Sequence, residues 1–496
     1  MSYPTYHNLI GGKFVPAKSG KTILNLNPAD HNDIVGAFPA SGAEDVNLAV
    51  GAAKKAYEET WRLYPAPKRA EILYRAGALL AERKEKFAHD MTREMGKVLD
   101  ETRGDIQEGI DVCFLSAGEG RRMFGQTMPS ELPNKFCMSV RMPLGVVGLI
   151  TPWNFPISIP SWKIFPALIA GNTIVIKPAT DTPLSVYNLV QTLQDAGIPK
   201  GVINIVCGSG PNVGTPLVEH PDVRAISFTG SSSVGSFVAQ RAAATFKPVS
   251  LEMGGKNAQI VLDDANLDLA LDGALWGAFG TTGQRCTATS RILLQKGIAK
   301  EFTERLVARA KQLKVGNGID PTVQVGPQVN AAQIETSTKY CKIALDEGAK
   351  LLLGGHALTT GAYAHGTFFE PTIFSGVLPT HRIAREEVFG PVLSLIEFDT
   401  FEEAIKIANS IDYGLSTALY TKDVNRSFAA MRDLEAGITY INAPTIGAEV
   451  HLPFGGVKHT GNGHREGNMT IEFFTAWKAI YVDYSDKLQR AQIDNQ

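Results

Sequence analysis

The chain has 496 residues, with 48 basic and 50 acidic side chains and a formal net charge of −2. Its length exceeds what one hydrophobic core usually serves, so we expect two or more domains. Neither sign of charge forms long runs, which argues against a nucleic-acid partner. The five cysteines are widely spaced and lack zinc-ligand spacing, so we expect a reducing compartment and no metal site.

The N-terminal stretch MSYPTYHNLIGGKFVPAKSG has neither the basic start nor the apolar run of a signal peptide. The longest apolar-rich stretch, residues 157–169, is interrupted by Pro160, Lys163 and Pro166 and falls short of a membrane span. We therefore expect a cytoplasmic protein with no membrane partner.

Residues 45–103 repeat apolar side chains at spacings of three and four, which predicts amphipathic helices. We interpret these helices as scaffold and assign them no chemistry. From Gly145 onward, short apolar runs alternate with helical stretches, which predicts a parallel sheet covered on both faces. A second series of this kind follows Gly255 and indicates a second α/β domain.

Two further segments have distinctive compositions. The Gly- and Thr-rich run GGHALTTGAYAHGTFFEPTIFSG, residues 354–376, predicts a surface connection. The run FFTAWKAIYVDYS, residues 473–485, predicts an edge strand whose exposed aromatic side chains an oligomer would bury.

Ligands of such sheets bind beyond the carboxyl ends of the strands, so the residues after each predicted strand are the candidates for chemistry. Asn154 follows GVVGLIT, where its amide can donate to an oxyanion or cap the next helix. Lys177 follows NTIVI and can meet a ribose or phosphate. Gly230 and Ser231 open a predicted helix whose free N–H groups suit a phosphate, although an ordinary serine cap fits equally well.

Glu252 stands before a Gly-Gly turn, where a carboxylate can act as a base or pair with a nearby cation. Cys286 lies in GTTGQRCTAT, among small and hydroxylated residues with Arg285 directly before it. Free cysteine usually behaves as a small buried hydrophobe, which is the structural alternative here. A thiol, a base and an amide donor near a nucleotide-type sheet together indicate a catalytic crevice.

The chain resembles the aldehyde dehydrogenase superfamily over nearly its full length. The resemblance rests on TPWNFP, NTIVIKP, FTGSSSVG, LEMGGKN, GQRC, EEVFGPV, YGLSTALYTKD and PFGGVKHTGNG. Within that family it is most similar to the antiquitin-like group of semialdehyde dehydrogenases, on GQRCT, PTIGAEV and the tail that begins VDYS.

The resemblance implies an α/β fold with three parts. A Rossmann-type NAD(P)-binding domain would span residues 1–122 and 146–253, and a catalytic domain residues 254–465. Residues 123–145 and 466–496 would form a small β flap for oligomerisation, in a homodimer or homotetramer.

The resemblance also implies roles for matching residues. Cys286 would be the nucleophile, Glu252 the general base and Asn154 part of the oxyanion hole. The residues that bind NAD or NADP would be Trp153, Lys177, Thr180, Gly230, Ser231, Glu387 and Phe389. The residues that bind the small aldehyde would be Trp162, Arg285, Thr445, Gly447, Phe454 and Glu108.

Some roles have alternatives. Arg285 can lower the thiol pKa, hold a distal carboxylate of the substrate, or serve only a structural ion pair. Glu108 matches a substrate contact of the antiquitin-like group, yet most helix glutamates are solvated. The loop 445–449 would bind the far end of the substrate by backbone donors, or is simply a turn.

Position 180 departs from the common family pattern, which has a glutamate there that repels a 2′-phosphate. Thr180 removes that repulsion, so we expect use of NAD(P), with dual use or an NADP preference.

The predicted reaction is hydrolytic oxidation of a small semialdehyde that bears a distal carboxylate. Three alternatives remain: transfer of the acyl group to coenzyme A, ester cleavage by Cys286 without a redox step, and a binding protein with an inactive site. The presence of Glu252 counts against the first, because a base for water is then unnecessary. The absence of a histidine near Cys286 in the sequence counts against the second.

Overall fold

The computed structural model describes residues 3–494. The helices are α1 Ala43–Glu59, α2 Ala66–Glu82, α3 Lys84–Met95, α4 Leu99–Gly118, α5 Ser158–Ala170, α6 Pro183–Asp195, α7 Thr215–Glu219, α8 Ser232–Ala243, α9 Leu267–Phe279, α10 Lys296–Ala310, α11 Ala331–Asp346, α12 Arg382–Arg385, α13 Phe401–Asn409, α14 Val424–Asp433 and α15 Thr470–Phe473. The predicted amphipathic segment, residues 45–103, forms α1, α2, α3 and the start of α4. The buried residues of α2, α3 and α4 face one core, whereas most of those of α1 face another.

The strands alternate with these helices along most of the chain. They are β1 Asn8–Ile10, β2 Lys13–Val15, β3 Thr22–Asn27, β4 Asp30–Pro39, β5 Gln126–Met128, β6 Lys135–Pro143, β7 Val146–Ile150, β8 Thr173–Lys177, β9 Ile203–Ile205, β10 Val223–Thr229, β11 Val249–Glu252, β12 Asn257–Val261, β13 Thr289–Gln295, β14 Lys350–Leu353, β15 Ala357–Leu358, β16 Phe368–Phe369, β17 Thr372–Ser375, β18 Val392–Phe398, β19 Tyr413–Gly414, β20 Ser416–Tyr420, β21 Ile438–Ile441, β22 Val457–Lys458 and β23 Thr475–Asp483.

The first large sheet has seven strands in the order β11-β10-β7-β8-β9-β1-β2. The five strands from β11 to β9 run parallel, while β1 and β2 add an antiparallel edge. Strands β7 and β8 are buried along their whole length, as expected for a sheet with helices on both faces.

The second large sheet also has seven strands, in the order β14-β17-β18-β13-β12-β20-β21. Only β14 pairs antiparallel, so the predicted second α/β series is present. The strands of the two sheets fall within the segments predicted for two domains, although the domain boundaries themselves stay a prediction.

The prediction of a surface connection over residues 354–376 is wrong for its second half. Phe368, Phe369 and Phe374 are at most 2% exposed, and β17 pairs with both β14 and β18 in the second sheet. The glycines of this run indicated turns correctly, but its aromatic side chains fill the core instead of covering it.

The third sheet has the order β23-β6-β5, and β23 pairs with β6 from Thr475–Pro143 to Asp483–Lys135. Strand β23 therefore lies at a sheet edge, with Trp477 and Tyr481 exposed. A homodimer or homotetramer built on this edge stays a prediction. Among residues 3–494, no helix combines the length and the apolar character that a membrane crossing needs.

Candidate active site

The carboxyl ends of four parallel strands bring the predicted site residues to one edge of the first sheet. Register pairs Ile150 with Lys177, Phe228 with Ile150, and Thr229 with Glu252. The segments that follow these strand ends therefore start side by side, as parallel-sheet geometry requires.

Cys286 reaches this edge from the second sheet, on the segment between α9 and β13. The side chain of Asn257, at the start of β12, donates to the Cys286 carbonyl at 2.7 Å and to the Ala288 carbonyl at 2.9 Å. Cys286 is partly accessible, whereas the other four cysteines are buried. The bonds from Asn257 fix the backbone that carries the thiol, so the sulfur has a defined position.

Two cavities meet at Cys286. We call them the Trp162 cavity, of about 120 Å³, and the Trp153 cavity, of about 190 Å³. Both are lined by Cys286, Ile159, Thr229 and Met253. A thiol shared by two cavities can contact a different ligand on each side.

Glu252 lines the Trp162 cavity and is 3% exposed. Neither of its carboxylate oxygens has a hydrogen-bond partner within the described residues. Burial raises its pKa well above the usual value, the nearby Glu466 raises it further, and Lys163 and Arg465 oppose both effects. A buried carboxylate with free oxygens and a raised pKa has the properties of a general base for water.

Lys163 and Glu466 form a buried ion pair close to Glu252. The Lys163 side chain is fully buried and also donates to the Ser227 hydroxyl at 2.9 Å. In the sequence, Lys163 only interrupts an apolar run, and nothing marks Glu466 as a site residue. Lys163 is a charge within that apolar run, whereas Glu466 lies in a polar stretch, and the two residues meet across 303 positions.

Burial raises the pKa of the Cys286 thiol to about 12, and the charges of Glu387 and Glu252 add to the increase. The backbone N–H groups of Thr287 and Cys286 oppose it. The thiol is therefore neutral at pH 7 without ligands, and positive charge brought into the cavity would favour the thiolate.

Asn154 lines the Trp153 cavity and is 3% exposed. Its amide nitrogen donates to the Gln284 carbonyl at 3.1 Å and does not cap α5, whose N-cap is Ile157. An amide group has two N–H donors, so the second stays available to an oxygen bound beside Cys286.

Aromatic side chains form the wall of the Trp162 cavity, where Trp162 and Phe454 meet edge to face at 5.0 Å. Gly447 lies on the same wall. Thr445 does not line this cavity, and a substrate contact through the backbone of its loop stays a prediction. Thr445 is fully buried, and its hydroxyl bonds to the Thr287 carbonyl at 2.7 Å and to the Thr289 hydroxyl at 2.8 Å.

Arg285 and Glu108 also line the Trp162 cavity. Arg285 makes an ion pair with Glu101 at 3.1 Å and donates from Nε to the Thr281 hydroxyl at 2.8 Å. The structural ion pair is thus present, and the raised thiol pKa gives no support to activation by Arg285. Burial raises the pKa of Glu108 to about 7, with a further contribution from Asp105, so Glu108 is not a solvated helix glutamate.

The Trp153 cavity has the chemistry that a dinucleotide needs. It is lined by Trp153, Gly230, Ser231, Glu387 and Phe389. Ser231 caps α8, and its hydroxyl accepts from the Val234 N–H at 3.5 Å, so the serine-cap alternative holds while the first N–H groups of α8 remain free for an anion.

The absence of a side chain at Gly254 leaves space for the Glu387 carboxylate of the Trp153 cavity. A Cβ on Gly254 would overlap the Glu387 carboxylate, which accepts from the Gly255 N–H at 2.9 Å. Burial raises the pKa of Glu387 to about 7. A carboxylate suits ribose hydroxyls and a helix N-terminus suits phosphate, so the residues present fit NAD or NADP.

Lys177 and Thr180 lie at the end of β8, outside the two cavities that meet at Cys286. The Lys177 ammonium donates to the Pro178 carbonyl at 2.6 Å, and burial lowers its pKa to about 8. Thr180 is exposed, and its hydroxyl donates to the Gly208 carbonyl at 3.4 Å.

The chain matches the aldehyde dehydrogenase family over residues 14–480. It belongs to this family. An α-ketoglutaric semialdehyde dehydrogenase of Bacillus subtilis (strain 168) is 43% identical over 479 residues, which are 96% of this chain and 98% of that protein. A 3-sulfolactaldehyde dehydrogenase of Pseudomonas putida is 38% identical, over 96% of this chain and 97% of the relative.

A solved structure supports the same relationship. Betaine aldehyde dehydrogenase from Staphylococcus aureus in complex with NAD+ superposes with a TM-score of 0.95 at 34% identity, over 97% of this chain and 96% of that chain. These comparisons confirm the predicted family, its α/β fold and the prediction of an aldehyde dehydrogenase. The roles of individual site residues stay predictions.

The raised thiol pKa predicts how Cys286 reacts with iodoacetamide in the enzyme without ligands. Because only the thiolate reacts, the labelling rate should rise about tenfold per pH unit and show no plateau up to about pH 9.5. Peptide mass spectrometry measures the rate at Cys286, with the four buried cysteines as internal controls. A plateau near pH 8.5, as for an ordinary thiol, would contradict the raised pKa.

Proposed function

We propose that this aldehyde dehydrogenase oxidises a small semialdehyde with a distal carboxylate to the acid, by hydrolysis of a thioester on Cys286. The observation that carries the proposal is the meeting of two cavities at Cys286. One cavity contains Glu252 and the other contains Asn154. The cofactor is NAD or NADP, as the family and the fit of the Trp153 cavity indicate.

The distal carboxylate is inferred from Arg285. Its Nε and Nη2 are bonded to Thr281 and Glu101, while Nη1 makes no hydrogen bond to any described residue. The guanidinium can therefore offer donors to an anion in the Trp162 cavity. Two relatives are named for aldehydes that carry a carboxylate or a sulfonate, which supports an anionic substrate.

The first chemical step joins the substrate carbon to the Cys286 sulfur. The thiol proton passes to water, and as the C–S bond forms from the thiolate, one electron pair of the C=O bond moves onto oxygen. The free N–H of Asn154 and the backbone N–H of Cys286 would donate to that oxygen. When bound, the oxidised cofactor supplies a positively charged ring that accepts hydride from the substrate carbon.

The second step cleaves the thioester that Cys286 then carries. Glu252 takes a proton from water, the hydroxide oxygen bonds to the acyl carbon, and the C–S bond breaks to return the thiolate. The charges on Lys163 and Arg465 oppose the rise in the pKa of Glu252 and so favour the carboxylate form that accepts this proton.

The residues that line the two cavities argue against two alternative functions. A cysteine esterase needs a base for its thiol, and among the described residues that line the two cavities there is no histidine. An acylating enzyme needs no base for water, whereas Glu252 lies in the cavity with both oxygens free.

A panel of aldehydes tests the proposed substrate class. We expect the semialdehydes of succinate, glutarate, aminoadipate and 2-oxoglutarate to include the best substrate, with kcat/KM about tenfold or more above neutral aliphatic aldehydes. Product analysis with and without coenzyme A separates hydrolysis from acyl transfer.

The matched variants for this panel are Arg285→Gln and Arg103→Gln, since Arg103 lies on α4 and is paired with Glu85 and Asp100. Only Arg285→Gln should reduce the preference for acid-bearing aldehydes. If aliphatic aldehydes are the best substrates of the wild type, the proposed substrate class is wrong.

Thr180 predicts the balance between the two cofactors. Without a carboxylate at this position, kcat/KM for NAD and NADP should differ by less than about a hundredfold, and Thr180→Glu should shift the ratio toward NAD by about tenfold or more. Steady-state kinetics with each cofactor measures both effects. A wild type that prefers NAD by more than about a hundredfold would contradict the prediction.

A further inference from the structure

One face of α4 carries three acidic side chains near the catalytic segments. Glu101, Asp105 and Glu108 are four and three positions apart, a spacing that puts them on the same side of a helix. In the sequence, Glu101 belongs to the amphipathic segment that we interpret as scaffold. In the structure this face contacts both the Cys286 segment and the segment that follows Asn154.

Glu101 contacts the Cys286 segment through one carboxylate oxygen. Its Oε1 accepts from the Thr281 N–H at 2.7 Å and from Arg285 Nη2 at 3.1 Å. The Glu101 side chain is 12% exposed and that of Arg285 is 11% exposed, so water competes little for these bonds. The two donors lie on either side of the turn that leads to Cys286.

That turn has an unfavourable backbone. Thr281 and Thr282 have φ values of 51° and 57°, in the left-handed region that β-branched residues avoid. Such a residue is strained and persists only where its surroundings hold it. Thr281 is 2% exposed, so without Glu101 its N–H would also be buried without an acceptor.

Asp105, on the same face of α4, bonds to the segment that follows Asn154. Its Oδ1 accepts from the Ser158 N–H at 2.7 Å, and its Oδ2 accepts from the Lys97 ammonium at 2.6 Å. Lys97 Nζ lies 3.6 Å from the ring centroid of Phe155, the neighbour of Asn154. Helix α4 therefore holds the nucleophile segment and the oxyanion-donor segment at one fixed separation.

We propose that Glu101 is a positioning residue for the reaction, which holds the left-handed turn at Thr281 and so places Cys286 opposite Asn154. This inference rests on the proposed function for its kinetic consequence. We expect kcat to depend more on the length of the Glu101 side chain than on its charge, because the Thr281 N–H needs an acceptor at one point in space.

Three variants separate reach from charge. Glu101→Gln keeps the reach and an acceptor oxygen but loses the charge, Glu101→Asp keeps the charge but is one methylene shorter, and Glu101→Ala loses both. With the best aldehyde of the panel, Glu101→Gln should keep kcat within about threefold of wild type. Glu101→Asp and Glu101→Ala should lose about 10- to 100-fold in kcat, with the KM for cofactor changed by less than about threefold.

Asp100→Asn is the matched control, since Asp100 lies in the same helical turn, is 90% exposed and pairs with Arg103. It should leave kcat unchanged. If Glu101→Asp retains wild-type kcat, or if Glu101→Gln loses as much as Glu101→Ala, the proposal is overturned.

The labelling rate of Cys286 by iodoacetamide in the enzyme without ligands gives a second measurement that needs no substrate. A released turn exposes the sulfur, so the rate at fixed pH should rise about threefold or more in Glu101→Asp and Glu101→Ala but not in Glu101→Gln. Equal rates in all variants would overturn the proposal. If the wild type oxidised no aldehyde, the proposed function would fail while this order of rates would still test Glu101.

Discussion

The chemistry of this protein depends on the burial of a thiol and a carboxylate where two sheets meet. Burial raises the pKa of Cys286 to about 12 and the pKa of Glu252 well above its usual value. Burial therefore disfavours the charged form of each group. The low polarity that disfavours their charges also strengthens the electrostatic effect of any positive charge that a ligand brings into the cavities.

Buried ion pairs lie around this site. Their arrangement indicates that they fix the geometry of the site more than they stabilise the fold. Lys97 with Asp105 and Lys163 with Glu466 are almost completely buried, and desolvation offsets much of what such pairs contribute to folding. Each pair joins separate segments of the chain. They fix the separations between the segments of the candidate site, as the proposed roles of Cys286, Glu252 and Asn154 require.

Much of the fold could be predicted because buried parallel strands appear in the sequence as short apolar runs. The segment VRAISFT is the strand β10, residue for residue, and NTIVIK contains β8. The run 354–376 was misjudged because its glycines and threonines resemble a loop, while the burial of Phe368 depends on partners far along the chain. Secondary-structure propensity alone does not show which distant residues will bury a side chain.

The candidate site was predictable where a residue follows a strand or belongs to a family motif, as Cys286, Glu252 and Asn154 do. Glu101 and Glu466 were missed because each acts through partners more than a hundred positions away. In the sequence, Glu101 is one more charged residue of an amphipathic helix. The hydroxyl of Thr445 donates to the Thr287 carbonyl across 158 positions, a contact that has no signal in the sequence.

The central claim is that Cys286 carries the acyl group while Glu252 serves only its release. The most direct measurement uses Glu252→Gln, mixed with the best aldehyde of the panel and oxidised cofactor, quenched in acid and analysed by peptide mass spectrometry. The account predicts that the acyl mass accumulates on the peptide that contains Cys286. Undiminished steady-state oxidation with no adduct, or an adduct on a different residue, would contradict it.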